Sequence, residues 1–420
     1  MSKQERKGVS RRTFLEFGTG AVAATAGLLA VPGIAVGQSA QQGVKTGRAA
    51  TLTDPGPTQK VLDNANPDTN IPPISDGGGV PTFKYPFSLS NKRVFEGGWS
   101  REVTVRELPV SKTLAGVNMR LNAGGIRELH WHTAAEWAIM LYGAARITAI
   151  DANGRSFVRD TKEGDLWYFP TGIPHSIQGL APDGAEFLLV FDDGNFSEFE
   201  TVSLSGLMSR TPRDVMAKNF RVPQQSLQGL RQEELFIFQA PVPGPLAVDQ
   251  KLAAGLLGPS PLDFSFTTAG QKPTKTTKGG EVLIVDSSTF KVSTTVAAAI
   301  VTVRPGGMRE LHWHQNADEW QYYLSGRGRM TVLSTGSRAR TMDFQAGDVG
   351  YVQQTLGHYV ENTGDSDLRF LEMFKASHYQ DLSLSEWLTH TPPDLVMTHL
   401  NVDRQTFDAI PREELIIVPE

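Results

Sequence analysis

Two histidine pairs are the residues of this sequence whose types and spacing most directly indicate chemistry. They occur in two copies of the hexapeptide Arg-Glu-Leu-His-Trp-His, at residues 127–132 and 309–314. In an extended strand, side chains two residues apart point to the same face, so each pair presents two imidazoles to one point. Because neutral imidazole is a common metal ligand, the spacing predicts a metal site on each strand.

Further residues of the same kind follow each pair at nearly the same distances. The second set repeats the first at an offset of 182 or 183 residues, and together the sets use six of the nine histidines. A lone histidine is more often a core or surface residue, but a repeated complete set favours ligands. The predicted ligands are His130, His132, Glu136 and His175 in the first half, and His312, His314, Glu319 and His358 in the second.

The chemistry of this ligand set narrows the choice of metal without fixing it. Three neutral imidazoles and one carboxylate leave about two positions open on a six-coordinate ion. A nitrogen and oxygen set with open positions suits manganese or iron better than a closed structural zinc site. The ligands alone do not decide between these two metals.

The elements that must position the ligands are short strands. From Glu102 onward, runs of β-branched and apolar residues alternate with Gly, Asp, Asn and Pro, and the same series returns in the second half. Regularly spaced short strands predict an all-β fold, here two tandem barrels. A helical patch is predicted after each barrel, near Thr211-Pro212 and Thr391-Pro392, where Thr is a candidate N-cap and Pro suits the first turn.

Length and composition define the remaining organisation. The 420 residues predict four segments: a signal peptide at 1–40, an extended arm or linker at 41–81, a first domain at 82–240 and a second at 241–420. The polar, Pro-rich and Gly-rich arm is equally compatible with disorder and with wrapping a neighbouring domain. There is no cysteine, so disulfides and thiolate ligands are excluded, and a net charge of −5 gives no sign of nucleic-acid binding.

The first forty residues indicate export. Ser10-Arg11-Arg12-Thr13-Phe14-Leu15 resembles the twin-arginine signal, which is read by a receptor. A transmembrane anchor is the alternative, but the apolar stretch is short and Gly-rich, and small residues suited to cleavage follow Pro32. We therefore expect removal of the signal, no stable membrane insertion afterwards, and a periplasmic or secreted protein.

The motifs around the predicted ligands resemble those of the cupin superfamily. The stretches that begin at Gly124 and Gly306 are similar to the first cupin motif, and those that begin at Gly164 and Gly347 are similar to the second. The resemblance implies a bicupin, two jelly-roll β-barrels with short peripheral helices and a metal in each barrel. Gly179 and Gln353 depart from the motif, but neither position carries a ligand.

A closer resemblance is to the oxalate decarboxylases within that superfamily. It is carried by residues 127–132, 164–170 and 191–198. The resemblance implies two manganese ions per chain, dioxygen as a co-catalyst, and conversion of oxalate to formate and carbon dioxide. It also implies a homo-oligomer, a trimer or a hexamer.

The same resemblance implies roles for four further residues. Arg127 binds and polarises the substrate, with Arg309 as its counterpart in the second domain, and Glu372 is a second-site catalytic candidate. Glu198 is the acid of a lid at residues 197–201, where Phe199 and Glu200 replace the Asn and Ser of the family. In a regular strand, Arg127 would face away from His130 unless the Gly124-Gly125 turn rotates it.

Two other functions remain open from the sequence. An oxalate oxidase would use the same ligands, would release hydrogen peroxide and carbon dioxide, and would not need an acid at Glu198. A non-catalytic exported metal-binding bicupin is the third possibility. Storage proteins of that type commonly lack full ligand sets, whereas both sets are complete here.

Overall fold

The computed structural model describes residues 59–70, 72–73 and 75–420. The predicted signal peptide and the first part of the predicted arm lie outside these residues. The prediction of an all-β protein with two jelly-roll barrels and short peripheral helices is confirmed. None of the helices among the described residues has the length and apolar character needed to cross a membrane.

The first barrel is formed by the chain between residues 93 and 191, preceded by the short strand β1 (Lys84–Pro86). Short strands after this range extend it. In chain order the strands are β2 (Arg93–Phe95), β3 (Gly98–Val103), β4 (Ala115–Leu121), β5 (Gly125–Trp131), β6 (Glu136–Ile150), β7 (Ser156–Lys162), β8 (Leu166–Phe169), β9 (His175–Gly179), β10 (Ala185–Phe191), β11 (Val202–Ser203), β12 (Ile237–Gln239) and β13 (Ser265–Phe266).

The second barrel repeats this order. It consists of a seven-stranded sheet, of which β1 is one strand, and a six-stranded sheet. Its strands are β14 (Lys275–Thr277), β15 (Gly280–Val285), β16 (Ala297–Val303), β17 (Met308–Trp313), β18 (Glu319–Ser325), β19 (Arg327–Ser334), β20 (Arg338–Gln345), β21 (Asp348–Val352), β22 (Gly357–Asn362), β23 (Leu368–Phe374), β24 (Leu382–Ser383) and β25 (Ile417–Val418).

One glycine in each barrel lets a strand pass from one wall to the other. In β6, the residues before Gly143 pair with β8 and β10, and those after it pair with β7 and β9. Gly143 has φ +72° and Gly326, between β18 and β19, has φ +82°. Only glycine adopts this backbone region without a steric cost, so these cupin-motif glycines form the bend of each barrel.

Strands are exchanged between the two barrels. β1 pairs antiparallel with β21 of the second barrel, although it precedes the first barrel in sequence. In the opposite direction, β13 pairs with β8 of the first barrel. The predicted first domain, 82–240, therefore contributes β1 to the second barrel. The predicted second domain, 241–420, contributes β13 to the first barrel.

The described part of the predicted arm packs against the second barrel. Its two short helices are α1 (Lys60–Ala65) and α2 (Pro67–Asn70). Asp68 forms an ion pair of 2.6 Å with Arg329, and the Asp76 carboxylate accepts hydrogen bonds from the backbone and side chain of Thr341. These contacts attach the described part of the arm to β19 and β20.

The interface between the barrels is packed and apolar. Trp320 of the second barrel is fully buried and joins the same hydrophobic cluster as the first-barrel core. A Cβ at Gly116 would lie 2.4 Å from the Trp320 ring, so the absence of a side chain there allows the close approach. Asp318 accepts a hydrogen bond from Thr113 across this interface and another from Tyr351 of its own barrel.

Helices lie where the sequence predicts them after each barrel, but the predicted caps are wrong. Pro212 and Pro392, not the preceding threonines, are the N-cap residues of the second helix in each patch. Side-chain caps occur one helix earlier, at Ser203 and Ser383. The helices are α3 (Leu204–Arg210), α4 (Arg213–Phe220), α5 (Leu246–Ala254), α6 (Leu384–Thr389), α7 (Pro393–Leu400) and α8 (Arg404–Asp408).

Candidate metal centres

A bulge in β5 brings the arginine and the first histidine of the hexapeptide to the same side. The pairing of β5 with β9 shifts register between Arg127 and His130. The extra residue reverses the alternation of side chains, so Arg127 and His130 are both buried while Leu129 is half exposed. The same shift occurs in β17 between Arg309 and His312. The bulge, rather than the Gly124-Gly125 turn, reorients the arginine.

The predicted ligands of the first barrel meet at one point. His130 comes from β5, His132 from the residue that follows it, Glu136 from the start of β6 and His175 from the start of β9. Their candidate ligand atoms all lie within 4.8 Å of one another, and all four side chains are buried. Glu136 Oε2 is 3.4 Å from the Nε2 atoms of both His132 and His175.

Backbone carbonyls fix the orientation of each imidazole. The Nδ1 atoms of His130, His132 and His175 lie 2.6 to 2.8 Å from the carbonyl oxygens of Glu128, Ala134 and Ile173. A carbonyl can only accept, so each Nδ1 carries the proton and each Nε2 directs a lone pair inward. Burial and the nearby Arg127 charge hold the pKa of His130 well below its usual value, which keeps this imidazole neutral.

The carboxylate of each set is held by one oxygen, and its other oxygen faces the histidines. Trp167 Nε1 donates to Glu136 Oε1 at 3.0 Å, and Gln321 Nε2 donates to Glu319 Oε1 at 2.7 Å. Burial alone would raise the pKa of Glu136, but His175 and His132 lower it well below its usual range. The group is therefore a carboxylate with Oε2 available as a ligand.

The second centre has the same construction. His312, His314 and His358 also place Nδ1 against backbone carbonyls, of Glu310, Gln380 and Leu356, at 2.7 to 3.0 Å. Glu319 Oε2 lies 2.7 Å from His358 Nε2 and 3.2 Å from His314 Nε2.

Both donor sets fit a divalent cation. Several of the inward-facing atoms are buried without a hydrogen-bond partner among the described residues, namely His175 Nε2, His312 Nε2, His314 Nε2, His358 Nε2 and Glu319 Oε2. Buried acceptors without a donor are costly unless a cation binds them. Three imidazole nitrogens and one carboxylate oxygen match a six-coordinate Mn or Fe ion with open positions for a small ligand.

Arg127 is a buried charge without a carboxylate partner. It is 1% exposed, and its guanidinium donates to Thr201 Oγ1 at 3.1 Å and to the Phe236 carbonyl at 3.5 Å. No ion pair involves it among the described residues. Burial lowers its pKa, which the acidic neighbours Glu198 and Glu128 only partly oppose. A buried guanidinium paired with neutral acceptors is suited to bind an anion.

Glu198 lies in the segment predicted to form a lid, residues 197–201, and is buried. It begins a short 3₁₀-helix, Glu198–Glu200, that the Ser197 side chain caps by accepting from Phe199 N. Glu198 is 3% exposed, and its Oε2 is buried without a hydrogen-bond partner among the described residues. Burial raises its pKa to about 6, although Arg127 acts in the opposite direction. The carboxyl can therefore exchange a proton near neutral pH.

In the second barrel, the arginine is already neutralised by the protein. Arg309 donates to Glu372 Oε1 at 3.2 Å and to Asp381 Oδ2 at 2.6 Å, and it also donates to Tyr379. Burial opposes its charge, but Tyr379, Glu372 and Asp381 together raise the pKa of Arg309 well above its usual value. Burial also raises the pKa of Glu372 to about 7. The predicted substrate-binding and catalytic residues of this barrel contact each other.

Sequence reasoning gave no role to the glutamate of the hexapeptide. The Glu128 carboxylate accepts from the backbone of Phe236 and from the backbone and hydroxyl of Ser205. Glu310 likewise accepts from the backbone of Ile416, but its serine partner is the hydroxyl of Ser383, which corresponds to Ser203 and not to Ser205. Each glutamate thus connects the ligand strand to the segments that flank it. The repetition of this glutamate beside the histidines is the sequence signal that could have indicated its role.

Comparisons with known proteins agree with this geometry. The family model described as Cupin matches residues 87–228 and 266–408. The chain is 50% identical over 377 residues to oxalate decarboxylase OxdC of Bacillus subtilis, covering 90% of this chain and 96% of that one. It is 40% identical over 382 residues to a probable oxalate decarboxylase of Arthroderma benhamiae, with coverages of 89% and 92%.

Comparison with solved structures also relates this chain to oxalate decarboxylase. A solved structure of a variant of the B. subtilis enzyme matches with a TM-score of 0.85 and 50% identity over 88% of this chain and 97% of that one. The chain belongs to the bicupin oxalate decarboxylase family. For a member of this family, the two His₃Glu sets are the candidate metal centres, and the first is the one that has an arginine without a carboxylate partner.

Proposed function

We propose that this bicupin is a manganese-dependent oxalate decarboxylase that converts oxalate to formate and carbon dioxide at its first centre. The relatives at 50% and 40% identity carry that activity in their names, and a structure of the B. subtilis enzyme is described with Mn(II) centres. The observation that carries the proposal is the buried Arg127 beside a complete His₃Glu set.

Oxalate suits this arrangement because it is a small dianion. One carboxylate can bind the open positions of the ion, while Arg127 donates to the other and neutralises its charge. Apolar rings surround the ligands: Phe169 stacks on His175 at 4.3 Å, and Phe191 lies 5.2 Å from His132. These rings exclude water and strengthen the attraction between Arg127 and the substrate.

The difficulty of the reaction is the carbon–carbon bond, because the departing electrons have no acceptor in oxalate itself. Bound manganese with dioxygen as co-catalyst would supply the one-electron oxidation that weakens this bond. Arg127 keeps oxalate in a fixed orientation while carbon dioxide leaves. Arg127 contributes through its charge and its position and forms no covalent bond with the substrate.

Glu198 completes the reaction by supplying a proton. After carbon dioxide leaves, the remaining one-carbon fragment becomes formate by regaining the electron removed at the start and by gaining a proton on carbon. The Glu198 carboxyl donates that proton and regains one from solvent or from the next substrate. Its pKa of about 6 allows both directions of transfer. The lid position of Glu198 couples this transfer to closure over the site.

The second centre is proposed to bind metal without turning over oxalate. Its arginine is engaged by Glu372 and Asp381, so an incoming dianion would have to displace two carboxylates. Displacing buried ion-pair partners is costly, whereas Arg127 requires no such exchange. The difference supports the proposal that turnover occurs in the first barrel.

Export and assembly are part of the proposal. The Arg11-Arg12 signal would direct a folded, metal-loaded protein to the periplasm or the exterior. A homo-oligomer, a trimer or a hexamer, is the proposed assembly. Exposed apolar side chains on the peripheral helices, such as Trp387 and Leu207, offer surface for subunit contacts.

One experiment tests the activity. The manganese-loaded protein is incubated with oxalate under air, and formate and hydrogen peroxide are measured together. The proposal expects formate as the main product and two metal ions per chain. Peroxide as the main product would indicate an oxalate oxidase, and the absence of both products would favour a non-catalytic metal-binding bicupin.

A further inference from the structure

The first barrel contains a stack of alternating aromatic and guanidinium groups that runs from the lid to the substrate arginine. The Arg93 guanidinium lies 3.7 Å from the ring centroid of Phe199 and 4.1 Å from that of Phe236. The Arg127 guanidinium lies 4.0 Å from the same Phe236 ring. The order is therefore Phe199, Arg93, Phe236, Arg127.

The members of this stack come from four separate parts of the chain. Phe199 is in the lid, Arg93 begins the edge strand β2, Phe236 directly precedes β12, and Arg127 is on β5. Phe236 is held by two hydrogen bonds, with its N donating to Glu128 and its carbonyl accepting from the Glu128 backbone. Three members thus belong to the barrel, and only Phe199 belongs to the lid.

Phe199 lies outside the apolar core. Its side chain is 71% exposed, whereas the adjacent Glu198 is 3% exposed. A phenylalanine that is not buried contributes little hydrophobic stabilisation, so its contact with Arg93 is the specific interaction that it makes. Arg93 Nη1 is buried and has no hydrogen-bond partner among the described residues. Its charge is therefore left to the two rings and to nearby acidic groups.

The second barrel provides an internal comparison, because it lacks this stack. Ile416 takes the place of Phe236, with the same backbone bonds to Glu310. Lys275, which starts β14 as Arg93 starts β2, donates instead to the carbonyl of Glu414. The aromatic and guanidinium stack is thus confined to the barrel whose arginine is available for substrate.

We propose that the Phe199–Arg93 contact is a latch that holds the lid in the conformation in which Glu198 is buried beside Arg127. Arg93 and Phe199 are positioning residues in this proposal, since they act through Glu198 and do not contact oxalate. The inference rests on the proposed function and deepens it. It assigns to this chain's Phe199, which departs from the family's lid sequence, the task of keeping the proton donor in place.

The latch affects which products form. With Glu198 in place, oxalate and one proton give carbon dioxide and formate. When the lid opens, the one-carbon fragment can lose a second electron instead, and oxalate, dioxygen and two protons give two carbon dioxide molecules and one hydrogen peroxide. A weaker latch therefore raises the share of peroxide. A cation–π contact shifts a two-state equilibrium by roughly 2-fold to 30-fold, depending on its exposure.

The first measurement is amide hydrogen exchange of the lid in the full-length manganese-loaded protein. Glu198 N donates to Glu102 Oε2 at 3.2 Å, and Glu200 N donates to the Ser197 carbonyl at 2.9 Å. Phe199→Leu, which keeps an apolar side chain but removes the ring, is expected to speed exchange at these amides about 3-fold or more. Phe220→Leu, at another exposed phenylalanine of the same barrel, is the matched control and leaves them unchanged.

The second measurement is the ratio of peroxide to formate. Phe199→Leu and Arg93→Met are each expected to raise this ratio about 3-fold or more. The ratio of the double variant should be close to that of either single variant, because both substitutions remove the same contact. Phe199→Tyr retains the ring and should restore the ratio of the unchanged protein. Metal content should stay at two ions per chain in all of them, which separates a positioning role from damage to the centre.

Two outcomes would overturn the latch. One is an unchanged product ratio and lid exchange in Phe199→Leu, and the other is additive effects of the two single substitutions. Both outcomes refer to the case in which the unchanged protein makes formate, so they overturn the latch and leave the proposed function in place. If the unchanged protein makes no formate, the proposed function itself fails, and lid exchange alone then decides whether Phe199 and Arg93 hold the lid.

Discussion

At the scale of single residues, the difference between the two centres lies in the partners of one arginine. Arg127 and Arg309 occupy equivalent positions in the hexapeptide and are both almost fully buried. Arg309 has two carboxylates within ion-pair distance, whereas Arg127 has a hydroxyl and a carbonyl. Burying an unpaired charge is unfavourable, so the unpaired Arg127 favours the binding of an anion in the first barrel. A dianionic substrate provides that anion.

The assignment of the proton donor gives a direct test. In Glu198→Ala, the metal ligands and Arg127 remain, so metal content and oxalate binding should persist. Formate production should fall by about a hundredfold or more, because a general acid contributes about 10² to 10⁴ in rate. The share of peroxide should rise, measured together with formate.

The control for this substitution lies two residues away. Glu200 is exposed, and Glu200→Ala should have a much smaller effect on formate production. Normal formate turnover in Glu198→Ala would assign the acid to another group, with Glu372 as the next candidate because burial raises its pKa to about 7.

The pH dependence follows from the same carboxyl. Burial raises the pKa of Glu198 to about 6, so the acid form that donates the proton predominates below that pH. We expect the rate of formate production to decline by about tenfold for each pH unit above about 6. In Glu198→Asp, the inflection should move to a different pH, since the shorter side chain changes the burial of the carboxyl. An inflection that stays in place would indicate a different titrating group.

At the scale of elements, the spacing in the sequence predicts which histidines lie on one face but not the side on which the arginine lies. Alternation in a strand places His130 and His132 on one face, and this placement is confirmed. The same alternation places Arg127 on the opposite face, which is wrong, because the bulge between Arg127 and His130 adds a residue. A bulge depends on pairing with β9, β11 and β12, and these partners are distant in sequence, so local spacing could not reveal it.

Long-range contacts limited the prediction of the lid in the same way. The sequence identifies Glu198 and the departure at Phe199, but the partners Arg93 and Phe236 lie about a hundred and about forty residues away. No periodicity connects these positions. Only the folded barrel brings the edge strand β2, the segment before β12 and the lid together.

Each ligand strand should carry its own ion. Replacing His130 and His132 by Ala removes two of four ligands from the first centre and should remove about one of two metal ions per chain. Replacing His312 and His314 should remove the other, because the second set is complete in itself. Metal analysis of protein made with added manganese measures this. Retention of two ions after either double replacement would contradict the ligand assignment.

At the scale of the whole molecule, the exchanged strands make the barrels depend on each other. The first barrel is completed by β13, and the second by β1 and the arm that precedes it. Together with the shared hydrophobic cluster, these exchanges fix the relative position of the two centres. A fixed geometry of this kind suits a protein that is proposed to be exported in the folded state.

The export proposal is tested by substitutions in the predicted signal peptide. Changing Arg11 and Arg12 to Lys keeps the charge but removes the guanidinium groups that a twin-arginine receptor would read. Export should be lost, while the purified protein keeps its metal content and activity. Cell fractionation measures the location of the protein. Undiminished export of the double Lys variant would show that another route is used.

A buried lysine strengthens the connection between the arm and the second barrel. Lys84 Nζ lies 3.0 Å from Asp348 Oδ2 and donates to Asn66 Oδ1 and to the Asp343 carbonyl, both at 2.6 Å. Burial already raises the pKa of Asp348, and Lys84 partly offsets this shift. In Lys84→Met, the carboxylate would remain buried without its cation. Removing one partner of a buried pair costs about 3 to 5 kcal/mol, so we expect a loss of that order in unfolding free energy.

Denaturant unfolding of the whole protein measures this loss, and its pH dependence identifies the cause. In the variant, the uncompensated Asp348 should take up a proton more readily, so the deficit should shrink as the pH is lowered toward the range in which that carboxyl is neutral. Lys92→Met is the matched control, because the Lys92 ammonium lies 3.9 Å from the centroid of the Trp99 ring and forms no ion pair with a carboxylate in the part of the chain that the structure describes. A deficit in Lys84→Met no larger than that of the control would show that the strand pairing of β1 with β21 holds the arm without the ion pair.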